Sequence, residues 1–241
     1  MNRLKPSIGE IYHVYNRGVD KRKVFMNEKD YVRFIHDLFE FNDSAPVFNS
    51  GYHLQRKSNN PQTIEVSPKY IKRDPRKLLV DILAFCLMPN HFHLLLPQRT
   101  ENGIQLFMKK LGAGYTVHFN QKYERSGSLF QGVYKSVHIQ NESHFIHLPY
   151  YIHLNPLDLI APAWRTQEKN INYKEARTFL DTYRWSSHLD YMGKHNFPSV
   201  TQRNFLNSLF TGKNNYPESI FSWLKNGSLD IVENLALETI Y

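Results

Sequence analysis

Cysteine is almost absent: Cys86 is the only one in 241 residues. A lone thiol makes no internal disulfide and no cysteine-built zinc site, so a reducing, cytoplasmic setting is expected. Long apolar runs are missing too. No window of about 18 consecutive apolar residues occurs, which excludes an ordinary membrane-spanning helix. The opening MNRLKPSIGE lacks the apolar stretch of a secretory signal. Acidic residues are the scarcer charge: 22 Asp and Glu face 30 Lys and Arg, a formal net charge of +8. That balance points to a polyanionic partner, most often nucleic acid, with a merely basic soluble enzyme as the plain alternative. Internal repeats are also lacking. Aromatic residues, by contrast, are plentiful, with 15 Tyr and 16 Phe. Their faces suit unpaired bases and equally suit an ordinary core.

The elements can be read from periodicity. IYHVYNRGV (11–19) is strand-like and ends in an Asn-Arg-Gly turn. In NEKDYVRFIHDLFEFN (27–42), apolar residues at 31, 34, 35, 38 and 39 have helical spacing, with Asn27 as N-cap. Residues 43–78 turn polar and basic and read as an exposed insertion. Two apolar runs, 77–88 and 91–98, flank Pro89-Asn90 and form a hairpin. A helix follows from Ile104 to Tyr123, then a strand over 127–139 and a helix over 141–155. Residues 170–193 and 199–227 are helical, and Phe221 and Trp223 are expected to pack this tail on the core. The order predicts an α+β fold, an antiparallel sheet with helices on one face. The expected division is a domain over 1–193 and a helical tail over 194–241.

Two stretches carry chemistry. In MPNHFHLLLP, His91 and His93 alternate with Phe92 on a strand, so both imidazoles share one face. They are either satisfied core residues or half of a divalent-metal site. In YYIHLNP, Tyr151 and Asn155 are one helical turn apart, and His147 would extend that stripe unless Pro149 breaks it. A phenol can attack a phosphodiester, and an amide oxygen can complete a metal shell that polarises the phosphate. An unaided phenol, with pKa near 10, is a poor nucleophile at neutral pH, so such a metal has a task. The plain alternative is a tyrosine packed against the sheet.

LMPNHFHLLL and YYIHLNP, in this order, resemble the single-tyrosine, His-hydrophobic-His transposases, most closely the REP-associated tyrosine transposases. YHVYNRGVDKRKVF, GSLFQGVYKS and YRWSSHLDYMG are similar to other family segments, and the resemblance covers roughly residues 10–193 apart from the insertion. It implies a ferredoxin-like (RRM-like) core and Mg²⁺ or Mn²⁺ on His91, His93 and Asn155. It also implies that Tyr151, four residues before the asparagine and so preferred to Tyr150, attacks single-stranded DNA. The product would be a 5′-phosphotyrosine link and a free 3′-hydroxyl that later reverses the attack, with no nucleotide cofactor. Substrates would be hairpin-forming, REP-like palindromes, handled in the cytoplasm at the nucleoid by a monomer or homodimer. Two departures stand out. Pro149 either starts the tyrosine helix or kinks it, and Val133 replaces an expected arginine.

Secondary candidates for DNA contact are Asn16 and Arg17, Lys135, and Lys72 and Arg73 in the densest basic stretch, PKYIKRDPRK. Lys109, Lys110, Lys122 and Arg125 are a charge run of the kind that is usually a solvated face. The alternatives to a strand transferase are a replication-type nicking endonuclease and a non-catalytic RNA- or DNA-binding module.

Overall fold

A computed structural model describes residues 6–45, 75–165, 172–210 and 215–226. The core runs β1 (Ile11–Arg17), α1 (Glu28–Glu40), β2 (Ala84–Met88), β3 (His91–Pro97), α2 (Gly103–Lys122) and β4 (Lys135–His138). Its four strands form one antiparallel sheet in the order β2-β3-β1-β4. Two strand–helix–strand units interleaved in that order make the ferredoxin-like arrangement expected from the sequence.

Local chemistry sets the boundaries. Asn27 caps α1: its side-chain oxygen accepts from the Lys29 amide at 3.1 Å, while the Asp30 carboxylate accepts from the Asn27 amide at 3.3 Å. Helix α2 runs through Gly112 and Gly114, and Gly114 lets the Phe41 ring approach so closely that a Cβ there would meet it at 2.5 Å. The expected strand over 127–139 shrinks to Lys135–His138, because Gly127 and Gly132 take positive φ (84° and 67°) and turn the chain. Of the insertion, residues 46–74, including Lys72 and Arg73, lie outside the described residues. Its first end is tied down by Lys110, whose Nζ donates to the carbonyls of Asp43 and Ala45 at 2.5 and 2.7 Å. Lys122 likewise pairs with buried Asp30, and Arg125 bonds Asn120 and the Ser128 carbonyl. Three of the four cations in the α2 charge run therefore serve the fold itself.

Both sheet faces are covered. Val14, Phe85, Phe92 and Leu94 pack under α1 and α2 against Phe34, Leu38, Phe107 and Tyr115. Each such side chain contributes about 1.5–3 kcal/mol by leaving water. The opposite face carries Ala84, Cys86 and Leu95 and packs under α3 (Glu142–Leu154). Helices α4 (Tyr173–Leu180), α5 (His188–Tyr191), α6 (Asn204–Leu209) and α7 (Tyr216–Asn226) complete that layer. The segment between α4 and α5 runs beside edge strand β2, where the Leu87 amide donates to the Trp185 carbonyl at 2.9 Å and hides the edge. Trp223 packs on Tyr150, so that part of the tail does hold to the core. Among the described residues, no helix is long and apolar enough to cross a membrane.

A buried polar chain pins α7 to α3. His188 Nδ1 lies 2.8 Å from Tyr216 Oη, which lies 2.7 Å from His153 Nδ1. His153 Nε2 in turn lies 2.7 Å from Ser187 Oγ. The order His188 N–H to Tyr216, Tyr216 O–H to His153, and His153 N–H to Ser187 satisfies every link with both imidazoles neutral. Burial holds His153 well below the ordinary histidine range, with His188 adding repulsion, and burial pushes His188 down to about 4. The unfolded chain therefore takes up these protons first. Stability is full above pH ~6.5 and declines as pH falls toward about 4, by roughly 3 kcal/mol from His188 alone. Thermal melting between pH 7 and 4 checks this. Tyr216→Phe should lower stability at pH 7 by about 1–3 kcal/mol while leaving the decline in place, because the burial that causes it is unchanged.

Candidate active site

Strand pairing assembles the site. On the α3 face of the sheet, Tyr15 lies opposite His93 on one side and Lys135 on the other, and Arg17 lies opposite His91. His13, two residues before Tyr15, shares that face. Helix α3 covers the His13 end, so His93 is fully enclosed while His91 is partly open to solvent. Arg17 and the exposed Lys135 flank the open end, giving it a positive rim.

The two predicted histidines meet edge to face, with ring centres 5.1 Å apart. Each has its Nδ1 engaged. His91 Nδ1 lies 2.6 Å from Asn90 Oδ1, to which it donates, and His93 Nδ1 lies 2.9 Å from His13 Nε2. In the tautomer where both Nδ1 atoms carry the proton, both Nε2 atoms present lone pairs. Metal-binding histidines are commonly set by a partner on the other nitrogen in this way. Among the described residues, no group of three or more His, Cys, Asp and Glu gathers into a metal site. The imidazole pair therefore fits a cation only with a third donor of another kind, such as an amide or water oxygen.

Tyr151 comes from α3, which runs unbroken through Pro149. The proline sits inside the helix and deprives the Phe145 carbonyl of its donor. The Tyr151 ring stands edge-on to His93 and His13, with centres 5.9 and 6.3 Å away, and is fully buried. Tyr150 points elsewhere, into Phe210, Tyr216 and Trp223 of the tail. His147 does not extend the Tyr151–Asn155 stripe: its Nδ1 donates to the Ser143 carbonyl at 2.7 Å and its ring lies toward Trp223. Asn155 is also buried, its amide donating to the Tyr151 carbonyl at 2.8 Å.

One group absent from the sequence reading completes this cluster. Arg165, on a short 3₁₀ turn over Pro162–Arg165, donates to the Tyr151 hydroxyl at 3.0 Å and to Asn155 Oδ1 at 2.7 Å. It also grips Asp158 with two bonds, at 2.8 and 2.6 Å. His13 is the other unforeseen member. Its signal was the two-residue spacing to Tyr15 and Arg17, whereas Arg165 had none beyond its charge.

Asn16 and Arg17 do not converge as a phosphate fork. Asn16 alternates to the other face and donates to the Gly132 carbonyl at 3.3 Å, while Arg17 donates twice to Gln131 Oε1 at 3.2 and 3.0 Å. Val133, in the same loop, is 64% exposed. Gly18 closes the turn, its amide donating to the Asn90 carbonyl next to His91 at 2.8 Å. A Cβ at Gly18 would come within 2.3 Å of the Arg22 carbonyl oxygen. Gly18→Ala should thus lower stability by about 1–3 kcal/mol, read as a melting shift, by displacing the turn that carries Arg17.

Comparison with known proteins bears on the middle of the chain. The family described as "Transposase IS200 like" matches residues 55–155, a span holding His91, His93, Tyr151 and Asn155. Among solved structures, the chain is similar to a REP-associated tyrosine transposase bound to a REP hairpin, at 13% identity and a TM-score of 0.46, covering 83% of this chain and 89% of that one. No curated protein matches.

Proposed function

We propose, on the premise that residues 55–155 are an IS200-like transposase segment, that this protein cleaves and rejoins single-stranded DNA through Tyr151. The observation that carries the proposal is spatial. A tyrosine from α3 and paired imidazoles from β3, 58 residues apart in sequence by 151 minus 93, stand in contact at one end of the sheet. His91, His93 and the Asn155 oxygen are the donor set for Mg²⁺ or Mn²⁺. When bound, such an ion supplies Lewis-acid stabilisation of charge on the phosphate oxygens. The amide oxygen has a second lone pair beyond the one that Arg165 engages. Arg17 and Lys135 at the open end draw the phosphate backbone toward His91, a sequence-independent attraction that weakens with salt.

In this reading the Tyr151 oxygen attacks phosphorus and leaves a 5′-phosphotyrosine and a free 3′-hydroxyl. Hairpin-forming repeats are the substrate class that the sequence resemblance implies. Tyr151 must be uncovered first, and Trp164, which packs on its ring, is part of the cover. A non-catalytic module that stacks bases on its sheet is disfavoured, because α3 already occupies the face that would do so.

The test is covalent capture. The protein is incubated with Mn²⁺ and a pool of single-stranded oligonucleotides carrying hairpins in varied flanks. A species that survives denaturing electrophoresis, with DNA mapped to the Tyr151 peptide, is the expected result. A pool that is bound yet never covalently captured defeats the proposal.

A further inference from the structure

We infer that Arg165 is a catalytic residue of this site. It is the group that stabilises the negative charge developing on the Tyr151 oxygen as the bond to phosphorus forms and breaks. The inference rests on the reading of Tyr151 as nucleophile. A guanidinium held only for stability would need no more than Asp158, with which it makes a two-point pair. Here Nη1 is also aimed at the phenolic oxygen, 3.0 Å away, and Nη2 at Asn155 Oδ1. The group is fixed from every side. Asp158 is itself held by the Trp164 indole N–H at 2.6 Å, and the guanidinium carbon lies 4.8 Å from the Trp164 ring centre and 5.2 Å from that of Tyr151. Arginine keeps its charge at any working pH, and its planar fork reaches phenol, amide and carboxylate without rearrangement.

The chemistry gives that charge a use. In cleavage, the Tyr151 oxygen bonds to phosphorus, the bond to the 3′ oxygen breaks, and the phenolic proton is lost as the 3′ oxygen gains one. In joining, a 3′-hydroxyl attacks the same phosphorus, its proton is lost, and the phosphorus–Tyr151 bond breaks to return the phenol. The departing phenolic oxygen bears the developing charge, and a donor already pointed at it needs no reorganisation. Removing one such donor typically costs on the order of 10²–10³-fold in rate.

The experiment uses the full chain and an oligonucleotide that wild-type protein captures covalently. The double variant Asp158→Asn/Arg165→Gln removes the guanidinium without stranding a carboxylate, and Arg165→Lys keeps a charge on another geometry. Melting confirms folding. Cleavage is followed in a single turnover, and joining is followed from isolated adduct. The double variant should bind DNA within about twofold of wild type but join about 10²-fold more slowly. Placing 3,5-difluorotyrosine at position 151, which makes the departing oxygen more tolerant of charge, should recover at least about tenfold in that variant and change wild type by less than about threefold.

Three results overturn the role: joining in the double variant within about threefold of wild type, a rate above wild type, or a loss that fluorination leaves untouched. The second would make the arginine a lock on the buried tyrosine, and the third a structural brace. Wild-type adduct at a residue other than Tyr151 sinks the nucleophile and this inference together. Adduct at Tyr151 with an unimpaired Arg165 variant sinks the inference alone.

Discussion

Tyr151→Phe abolishes covalent capture while leaving DNA binding in place. The change removes one oxygen, the only atom of that side chain able to bond to phosphorus, so the expected loss is on the order of 10⁴-fold or more. Binding should survive because the rim proposed to meet the phosphates, Arg17 and Lys135, is untouched. The fold survives as well. The hydroxyl makes a hydrogen bond with Arg165, whose guanidinium keeps Asp158 and Asn155 as partners, so the stability cost is about 1 kcal/mol or less. Tyr150→Phe is the control, because that ring lies among the tail aromatics and faces away from His93. Single-turnover cleavage of a captured oligonucleotide, with gel-shift affinity alongside, reads both halves. Cleavage by Tyr151→Phe at a rate near wild type, or its loss in Tyr150→Phe, moves the nucleophile to another residue.

The spacing of each half of this site was legible in the sequence as a fixed period, while the role given to each came from the family resemblance. His91 and His93 are two apart on a strand begun by Pro89-Asn90, so nothing beyond the hairpin decides that they share a face. Tyr151 and Asn155 are four apart on a helix, and the helix persists despite Pro149. The order of the elements was legible for the same reason, since alternating periods of two and 3.6 name them in turn, whereas the ferredoxin-like arrangement was what the family resemblance implied. Boundaries were less so. The run 127–139 looks like one strand by composition, yet its glycines at positive φ spend half of it on a loop.

What escaped depends on contacts that period cannot encode. His13 lies directly opposite Leu95, and it reaches His93 only as the diagonal neighbour, which requires knowing the β1–β3 register. Arg165 follows a 3₁₀ turn with no repeat of its own, and its meeting with Tyr151 is set by how Asp158 and Trp164 fold that turn back. The His147 stripe misled for a physical reason. A helical side chain leans toward the N-terminal turn, and that turn here offers the Ser143 carbonyl and the Trp223 ring, away from the sheet. The cations of α2 misled less, since a charge run is usually a face, and three of its members are spent on Asp43, Asp30 and Asn120.

On the proposed function, His91→Ala and His93→Ala should each remove metal-dependent activity, but they should differ in what else they lose, and the difference separates ligand from core residue. His91 sits at the open end of the sheet, so its removal leaves packing almost unchanged and melting within about 0.5 kcal/mol of wild type. His93 is enclosed and bonded to His13, and truncating it opens a cavity and breaks that buried pair, at a cost of about 2 kcal/mol or more. If both imidazoles serve one cation, Mn²⁺ affinity measured by titration calorimetry or spin resonance falls by about two orders of magnitude in either variant, regardless of the melting difference. His13→Ala, which removes the buried partner that orients His93 and a ring packed on Tyr15 and Tyr151, should lower the affinity by less, about 10–100-fold. Excess chelator should silence covalent capture by wild-type protein, and Mn²⁺ should restore it. Were the histidines mere packing, activity would instead track melting temperature, His91→Ala would be nearly silent, and capture would persist in chelator. That pattern would leave the phosphate oxygens without the Lewis-acid stabilisation proposed for them, and that part of the cleavage chemistry would have to be assigned to other groups.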